Sequence, residues 1–594
     1  MVANMAWVDL NGYMCLLPII KKWLYTEREV FLREIISNAY DAINKLKHLI
    51  LIGEHQGPEP SYRIDVIIDD KEKTISVKDN GIGMTYEEIK KYINQIAFSG
   101  AKEFVEKYKN IDSSSLVGFF GLGFYSSFIV SKKVEIISKS YKNEEKPVRW
   151  VSDGTSTYEM EIIENKVENG TIVKMYIDEE NSDLISKEKI KEIIKKYSNF
   201  LEIPIYIENE KINYGEPLWA KDINNLKEED YKKFFNECFG YKEPMFWVHL
   251  KTEYPFQLRG IIYFTKTFNN FDIENNTVKL FVKNVFVSDN IKELLPDFFV
   301  GIHALIESSD IPLNVSRSQF QSDLRVKKIS SYIVKKLGKE ITNIYKKDKE
   351  KFTKIWEDIN IVLKYGAIKD NSFYEKIKDV IIFKTNNDKY TTLKEYTEEN
   401  NIEKDGKKII LYTDQKNSNL ENFILSSGKN VIMINPIIDI HLFNFIETKE
   451  ENISFIRFDA ENNPLLYNQI EIEKEKKEKI IEVFKQYLDN DIEVKNINDK
   501  DTPMIVVVDE NIKRFNEISK FIIKENSIKN TYKIIINPQS HLITKALILD
   551  TTDKDKAKKF IHTLRDISLL SSGMLSQDMV KDFVKRTYDI MNTF

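Results

Sequence analysis

The chain has 594 residues, 42% hydrophobic and 30% charged, with 20 Gly and 14 Pro, a composition that excludes disordered, collagen-like and mucin-like polymers. Its 88 basic and 93 acidic side chains leave a net charge of −5, so there is no global pull toward nucleic acid or an anionic membrane. The length predicts two to four domains; no apolar run approaches the roughly 18 residues of a spanning helix, Asp9 and the apolar Leu16–Ile20 precede the basic pair Lys21-Lys22 in the reverse of a leader's order, and Cys15 and Cys238 are too few for a disulfide framework, which together predict a cytoplasmic address.

Helix and strand patterns alternate from about Leu16 to Ile177. Val30–Leu51 has helical periodicity, Tyr62–Ile68 alternates like a strand, and Thr74–Lys78 follows as its hairpin partner. The turn Asp112–Ser115 precedes a glycine cluster, Gly118–Gly123, which runs into a helical Tyr125–Val130; Ser186–Phe200 reads as a connecting helix. In the middle of the chain, Ile203–Ala460, the runs Gly260–Thr265, Lys279–Val287 and Val431–Asn435 read as strands, with helices such as Lys327–Lys346 between them. The interleaved charge run Glu471–Lys479 reads as a solvated helix face and marks a boundary. Beyond it come two strand-like runs, Met504–Val508 and Tyr532–Ile536, and then two helices. The first stripes Phe560, Ile561, Leu564 and Ile567; the second starts at Ser576 and stripes Val580, Phe583, Val584, Tyr588 and Met591. Such a pair either docks on its own domain or packs against the same pair of a second subunit.

Four short motifs carry the chemistry. On a helix, Glu34, Asn38 and Asp41 form one polar stripe opposite Leu32, Ile35, Ile36 and Ile43. An amide oxygen can ligate Mg²⁺ and a carboxylate can take a proton from water, although a polar outer face would look the same. The run Asp79-Asn80-Gly81-Ile82-Gly83-Met84 follows a strand, so that Asp79 can accept from an exocyclic amine while Gly81 and Gly83 permit close approach or positive φ; the bland reading is an Asn-Gly turn. Gly118-Phe119-Phe120-Gly121-Leu122-Gly123-Phe124 offers backbone N–H groups and a helix start to phosphate. Gly170-Thr171, in a strand, can supply a hydroxyl to the same pocket.

Taken in order, FLREIISNAYDAINKLK, DNGIGMT, IAFSGAKEF, GFFGLGFYSSFIVSKKV and the distant SSDIPLNVSRSQFQSD resemble the heat shock protein 90 family in its bacterial form, within the gyrase, heat-shock chaperone, histidine kinase and mismatch-repair ATPase superfamily. The resemblance implies a multidomain α+β chain. An N-terminal α/β sandwich would occupy 1–185 with a lid at about 92–125, an α/β middle domain 186–460, and an α+β dimerisation domain 475–594. It implies an ATP-dependent chaperone, a homodimer held by its C-terminal helices, which remodels non-native client proteins, works with the heat shock protein 70 system, and uses neither nucleic acid nor membrane. Residue by residue it implies Glu34 as the base that activates water, Asn38 as the Mg²⁺ ligand, and Asp79 as the reader of the adenine amine, with Gly83, Met84 and Thr171 beside the base. Asp41 would line the pocket, Gly118, Gly121, Gly123 and Phe124 would approach the phosphates, and Arg317 with its companion Gln321 would reach the γ-phosphate. A cation there stabilises charge that grows in the transition state.

Some positions depart from the family pattern. Phe98 stands where many relatives have a lysine, Tyr92 where an asparagine is expected, and Met1–Cys15 reads unlike the family, which puts an N-terminal strand exchange in doubt. No long acidic linker lies near 180–200, and the chain ends Met591-Asn592-Thr593-Phe594 without an acidic docking pentapeptide, both in keeping with the bacterial or organellar branch. A topoisomerase or mismatch-repair reading would want a basic surface. A histidine kinase would want a phosphoacceptor His followed by an acidic residue, and none of the seven His is. The presence of both Glu34 and Arg317 argues against a degenerate, non-hydrolysing binding protein.

Overall fold

The helical periodicity over Val30–Leu51 becomes α1 (Val30–Leu51), which buries Phe31, Leu32, Ile35, Ile36, Ile43, Leu46 and Leu49. It lies against a sheet whose strands are β1 (Ala3–Ala6), β2 (Ile64–Asp69), β3 (Thr74–Asp79), β4 (Ser131–Lys139), β5 (Val148–Ser152), β6 (Thr157–Ile162), β7 (Gly170–Ile177), β8 (Ile205–Ile207) and β9 (Glu210–Lys211). Their order is β1-β6-β5-β4-β7-β3-β2-β8-β9. The hairpin expected after Tyr62 is β2–β3, antiparallel with Val66 opposite Val77. β1 pairs antiparallel with β6 of its own chain. Short helices α2 (Tyr86–Tyr92) and α3 (Gly100–Lys107) follow β3, and Thr85 with Glu88 makes a reciprocal cap at the start of α2. The connecting helix expected over Ser186–Phe200 is α4 (Lys187–Tyr197), capped by Ser186 and ending three residues before Phe200.

This computed structural model describes residues 3–6, 27–55, 57–95, 100–108, 121, 123–155, 157–164, 167–240, 243–266, 277–289, 294–296, 298–311, 324–414, 428–468, 470–512, 514 and 532–591. They form two units, Met1–Leu337 and Gly338–Phe594. The first unit also holds a five-stranded sheet of β10 (Pro244–Thr252), β11 (Leu258–Thr265), β12 (Thr277–Val282), β13 (Val285–Ser288) and β14 (Ile302–Glu307). The single strand expected over Lys279–Val287 is in fact the β12–β13 hairpin. Lys283 and Asn284 both take positive φ, 54° and 61°, in the two-residue turn that matches strand twist.

The second unit contains a six-stranded and a three-stranded sheet. The charge run begins a solvated helix, Lys474–Tyr487, that buries only Ile480, Val483 and Phe484. After the last strand come three helices, not two: α5 (His541–Thr552), α6 (Lys554–Ser571) and α7 (Gln577–Met591). Among the described residues no helix is long and apolar enough to cross a membrane.

Candidate functional site

The polar stripe of α1 does not face bulk solvent. Glu34 is 7% and Asp41 4% exposed, while Asn38 between them is open. A carboxylate buried that deeply needs a partner, and its sequence neighbour supplies one. Arg33, itself 2% exposed, donates to Glu34 Oε1 from Nε at 3.1 Å and from Nη2 at 2.8 Å. The other oxygen, Oε2, lies against Gly123, where an added Cβ would stand 2.6 Å from it, so the glycine loop returns onto the carboxylate with no room for a side chain.

Asp79 ends β3 directly opposite Thr171 of β7. Burial pushes its carboxyl up to about 7, against the opposing effect of backbone N–H donors from Gly81 and Thr171. The Gly81 bond to Oδ1 is 2.8 Å long. The loop beyond Asp79 is bolted to its surroundings: the Ile82 N–H donates to the Ala42 carbonyl of α1 at 3.1 Å, and Tyr141 N–H donates to the Ile82 carbonyl at 2.9 Å. Gly83 sits at φ +61° with its α-carbon pressed on the Lys139 carbonyl, where a Cβ would clash at 1.9 Å. Met84 N–H then donates to Ser138 Oγ at 2.9 Å, and Ser138 Oγ lies 2.9 Å from Thr171 Oγ1. Asn80 turns away, bonding Ser61 and Arg63 backbone groups, which is the turn role its pairing with Gly81 suggests.

These bonds bring Glu34 and Asp41 on α1, Gly123 and Phe124 after the glycine loop, and Asp79, Gly83, Met84 and Thr171 at the adjoining strand ends into one neighbourhood. The Phe124 ring belongs to the core, edge-on to Trp150 at 5.6 Å. The segment Gly123–Ile129 is a 3-10 helix rather than an α-helix. Gly121 is at φ +65°. Gly118, Phe98, Arg317 and Gln321 lie outside the described residues. Tyr92 ties α2 to α3, its hydroxyl donating to Glu103 Oε2 at 3.0 Å beside a 2.7 Å Lys91–Glu103 ion pair. Two residues that the sequence reading missed complete the site, Arg33 and Ser138. A basic residue adjoining an acidic one on a helix's apolar side was the available signal for Arg33; Ser138 left none, since its partners come from distant segments.

Comparison with known proteins gives the family. Residues 25–190 match the family model "Histidine kinase-, DNA gyrase B-, and HSP90-like ATPase", and residues 207–594 match "Hsp90 protein". The chain is 43% identical over 417 residues to the "Chaperone protein HtpG" of Porphyromonas gingivalis, covering 66% of this chain and 60% of that one. It is 44% identical over 414 residues to a "Chaperone protein htpG" of Bacteroides fragilis, with the same coverage. For the "Chaperone protein HtpG" of Borreliella afzelii the identity is 38% over 424 residues, 67% of each chain. The chain thus spans about 60% of the length of the first two relatives. With a Bergerat-type N-terminal fold and a family match running from residue 207 to 594, the chain belongs to the Hsp90 protein family.

Proposed function

We propose that the chain is an ATP-dependent chaperone that binds ATP between α1 and the ends of β3 and β7, hydrolyses it, and uses the cycle to remodel non-native client proteins, a cycle in which the heat shock protein 70 system would cooperate. The observation that carries this reading is the joint placement of a buried carboxylate at a strand end, Asp79, and a second buried carboxylate on α1, Glu34, facing a glycine loop. Asp79 accepts from the adenine amine, with Gly83, Met84 and the Ser138-held hydroxyl of Thr171 around the base. Asp41 lines the pocket, Gly118, Gly121, Gly123 and the Phe124 backbone meet the phosphates, and Glu34 takes the proton of the attacking water. Among the described residues no group of three or more His, Cys, Asp or Glu is set to hold a metal. The exposed Asn38 amide oxygen, on the same helix face as Glu34 and Asp41, would hold a Mg²⁺ ion that keeps most of its waters, and such an ion would neutralise phosphate charge. Hydrolysis of ATP by the full chain, competed by a ligand that fills the space beside Asp79, tests the reading, and absent turnover would overturn it.

The domain assignment 1–185, 186–460 and 475–594 belongs to the same proposal, with Arg317 and Gln321 reaching the γ-phosphate from the middle domain. Arg317→Ala should lower the turnover of the full chain about tenfold or more, as for other arginines aimed at a transferring phosphate, while the isolated N-terminal domain, which lacks Arg317, keeps its ATP affinity. A full-length Arg317→Ala variant hydrolysing at the parent rate would remove Arg317 from the site.

Homodimerisation through the C-terminal helices is the third part of the proposal. The stripe of α6 divides: Ile561 and Leu564 are buried in their own domain, whereas Ile567 is 46% exposed. On α7, Val580, Val584, Tyr588 and Met591 remain 39%, 41%, 64% and 67% exposed. Lys559–Asp589 and Arg586–Asp566 ion pairs fasten α7 to α6 while its apolar residues stay uncovered. Two such pairs about a two-fold axis would bury Ile567 and the stripe of α7. Deleting residues from 554 onward should therefore halve the mass in light scattering and reduce turnover, while ATP binding survives. A truncated chain that still runs as a dimer would refute the assignment. Joining two chains at this end raises the local concentration of their ATP-binding halves to roughly the millimolar range.

A further inference from the structure

The buried Arg33–Glu34 pair has a third member from another part of the chain. The Arg33 guanidinium carbon lies 5.6 Å from the centroid of the Tyr197 ring at the end of α4. Tyr197 is 2% exposed, and its hydroxyl donates to Glu27 Oε2 at 2.5 Å, just ahead of α1. α4 is held in place beside α1 by Lys189 and Lys196, which pair with Glu29 at 2.7 and 3.2 Å. The same tyrosine ring meets Phe286 of β13 edge-on, centroids 5.7 Å apart at 69°. A run of contacts therefore leads from the five-stranded sheet, through Phe286 and Tyr197, to a guanidinium and then to the carboxylate of Glu34.

We infer that Tyr197 is a positioning residue for the reaction at Glu34: its ring holds the Arg33 guanidinium, and Arg33 holds the carboxylate by Oε1 so that Oε2 faces Gly123. A guanidinium attracted to a ring face and bonded to a carboxylate has few alternative orientations. The carboxylate it grips is fixed in turn, as a group that must meet a water molecule in line with a phosphate has to be. Tyr197 contacts Arg33 and Arg33 contacts Glu34, so both would act on the reaction through Glu34. Because Phe286 belongs to the five-stranded sheet, the placement of that sheet bears on the orientation of the base. The inference rests on the reading of Glu34 as general base.

The test uses the full chain. Tyr197→Leu removes the ring face and should lower kcat about 5- to 30-fold with ATP affinity unchanged, since misplacing a reacting group by ~1 Å costs on the order of 10²-fold at most. Tyr197→Phe keeps the ring and loses only the bond to Glu27, and should restore kcat to within about twofold of the parent. In an Arg33→Lys background, Tyr197→Leu should have little further effect, because the two substitutions break the same chain of contacts. Should Tyr197→Leu fail to fold, Phe286→Leu, which loosens the ring without removing it, is expected to lower kcat at unchanged ATP affinity. Parent-like kcat in Tyr197→Leu, or in Phe286→Leu where that variant stands in, overturns the inference. So do equal losses in Tyr197→Leu and Tyr197→Phe, or fully independent effects of Tyr197→Leu and Arg33→Lys. Normal turnover in Glu34→Ala would instead overturn the general-base reading, which separates the two failures.

Discussion

Asp79→Asn is expected to abolish measurable ATP binding and at the same time to raise the melting temperature at pH 8. Both effects come from one buried carboxyl. Burial raises it from 3.8 to about 7 in the folded chain, whereas the unfolded chain returns it to the ordinary value. Between those limits the folded state binds a proton that the unfolded state has released, so stability falls as pH rises from about 4 to about 7 and stays lower above. The difference of roughly three pKa units is on the order of 4 kcal/mol. An asparagine carries no such charge and can still accept the Gly81 N–H through its carbonyl. Toward the adenine amine, however, it offers donors where an acceptor is needed. A charge-assisted bond is worth about 1.5–3 kcal/mol, and the donor stranded by its loss adds to that. For the parent, ATP affinity should weaken about tenfold per pH unit below about 7, because the carboxyl must first give up its proton, and be flat above. Calorimetric titration at pH 6 and 8, with thermal melts of both proteins, checks all of this. Parent-like ATP affinity in the asparagine variant would remove Asp79 from the adenine site.

Glu34→Ala should separate binding from chemistry. Loss of a general base costs roughly 10²- to 10⁴-fold in turnover, while Asp79, Gly83 and Thr171 continue to hold the nucleotide. The alanine also takes a carboxylate away from a guanidinium only 1% exposed, and breaking one side of a buried pair typically costs about 3–5 kcal/mol. Glu34→Gln is therefore the sharper variant: it retains an acceptor for Arg33, so its melting temperature should lie above that of Glu34→Ala while its turnover is as low. Single-turnover assays with nucleotide-binding controls measure both. Normal turnover in Glu34→Gln would mean that another group activates water.

The elements that carry the site could be read wherever one local pattern decided them. α1 begins and ends at the residues its periodicity indicates, and Asp79 closes a strand as expected. The burial of Glu34 could not be read, because an amphipathic pattern sends a polar stripe to solvent and the segment covering it, at Gly123, lies some ninety residues away. Ser138 sits in a strand where an isolated serine carries no message; its meaning comes only from the meeting of Met84, Ser138 and Thr171. Lys279–Val287 looked continuous because its apolar residues continue through a turn made by Lys283 and Asn284 rather than by glycine. α5 went unread since Leu542, Ile543, Leu547, Ile548 and Leu549 lie around much of its circumference and leave no clear stripe. Arg317 and Gln321 remain readings of sequence alone.

The pairing of β8 with β2 bears on where the proposed ATP-binding part can be cut. Ile205, Tyr206 and Ile207 lie in parallel register on Ile64, Asp65 and Val66, and β9 folds back on them. A fragment ending at residue 185 would lose that cover along with α4, baring the N–H and C=O row of β2 next to the already exposed Ile67. Open edges with apolar neighbours recruit strands from other molecules. Expressed alone, the shorter piece should self-associate, whereas one extended through the β9 turn to about residue 215 should stay monomeric, so the smallest well-behaved ATP-binding fragment reaches past the connecting helix.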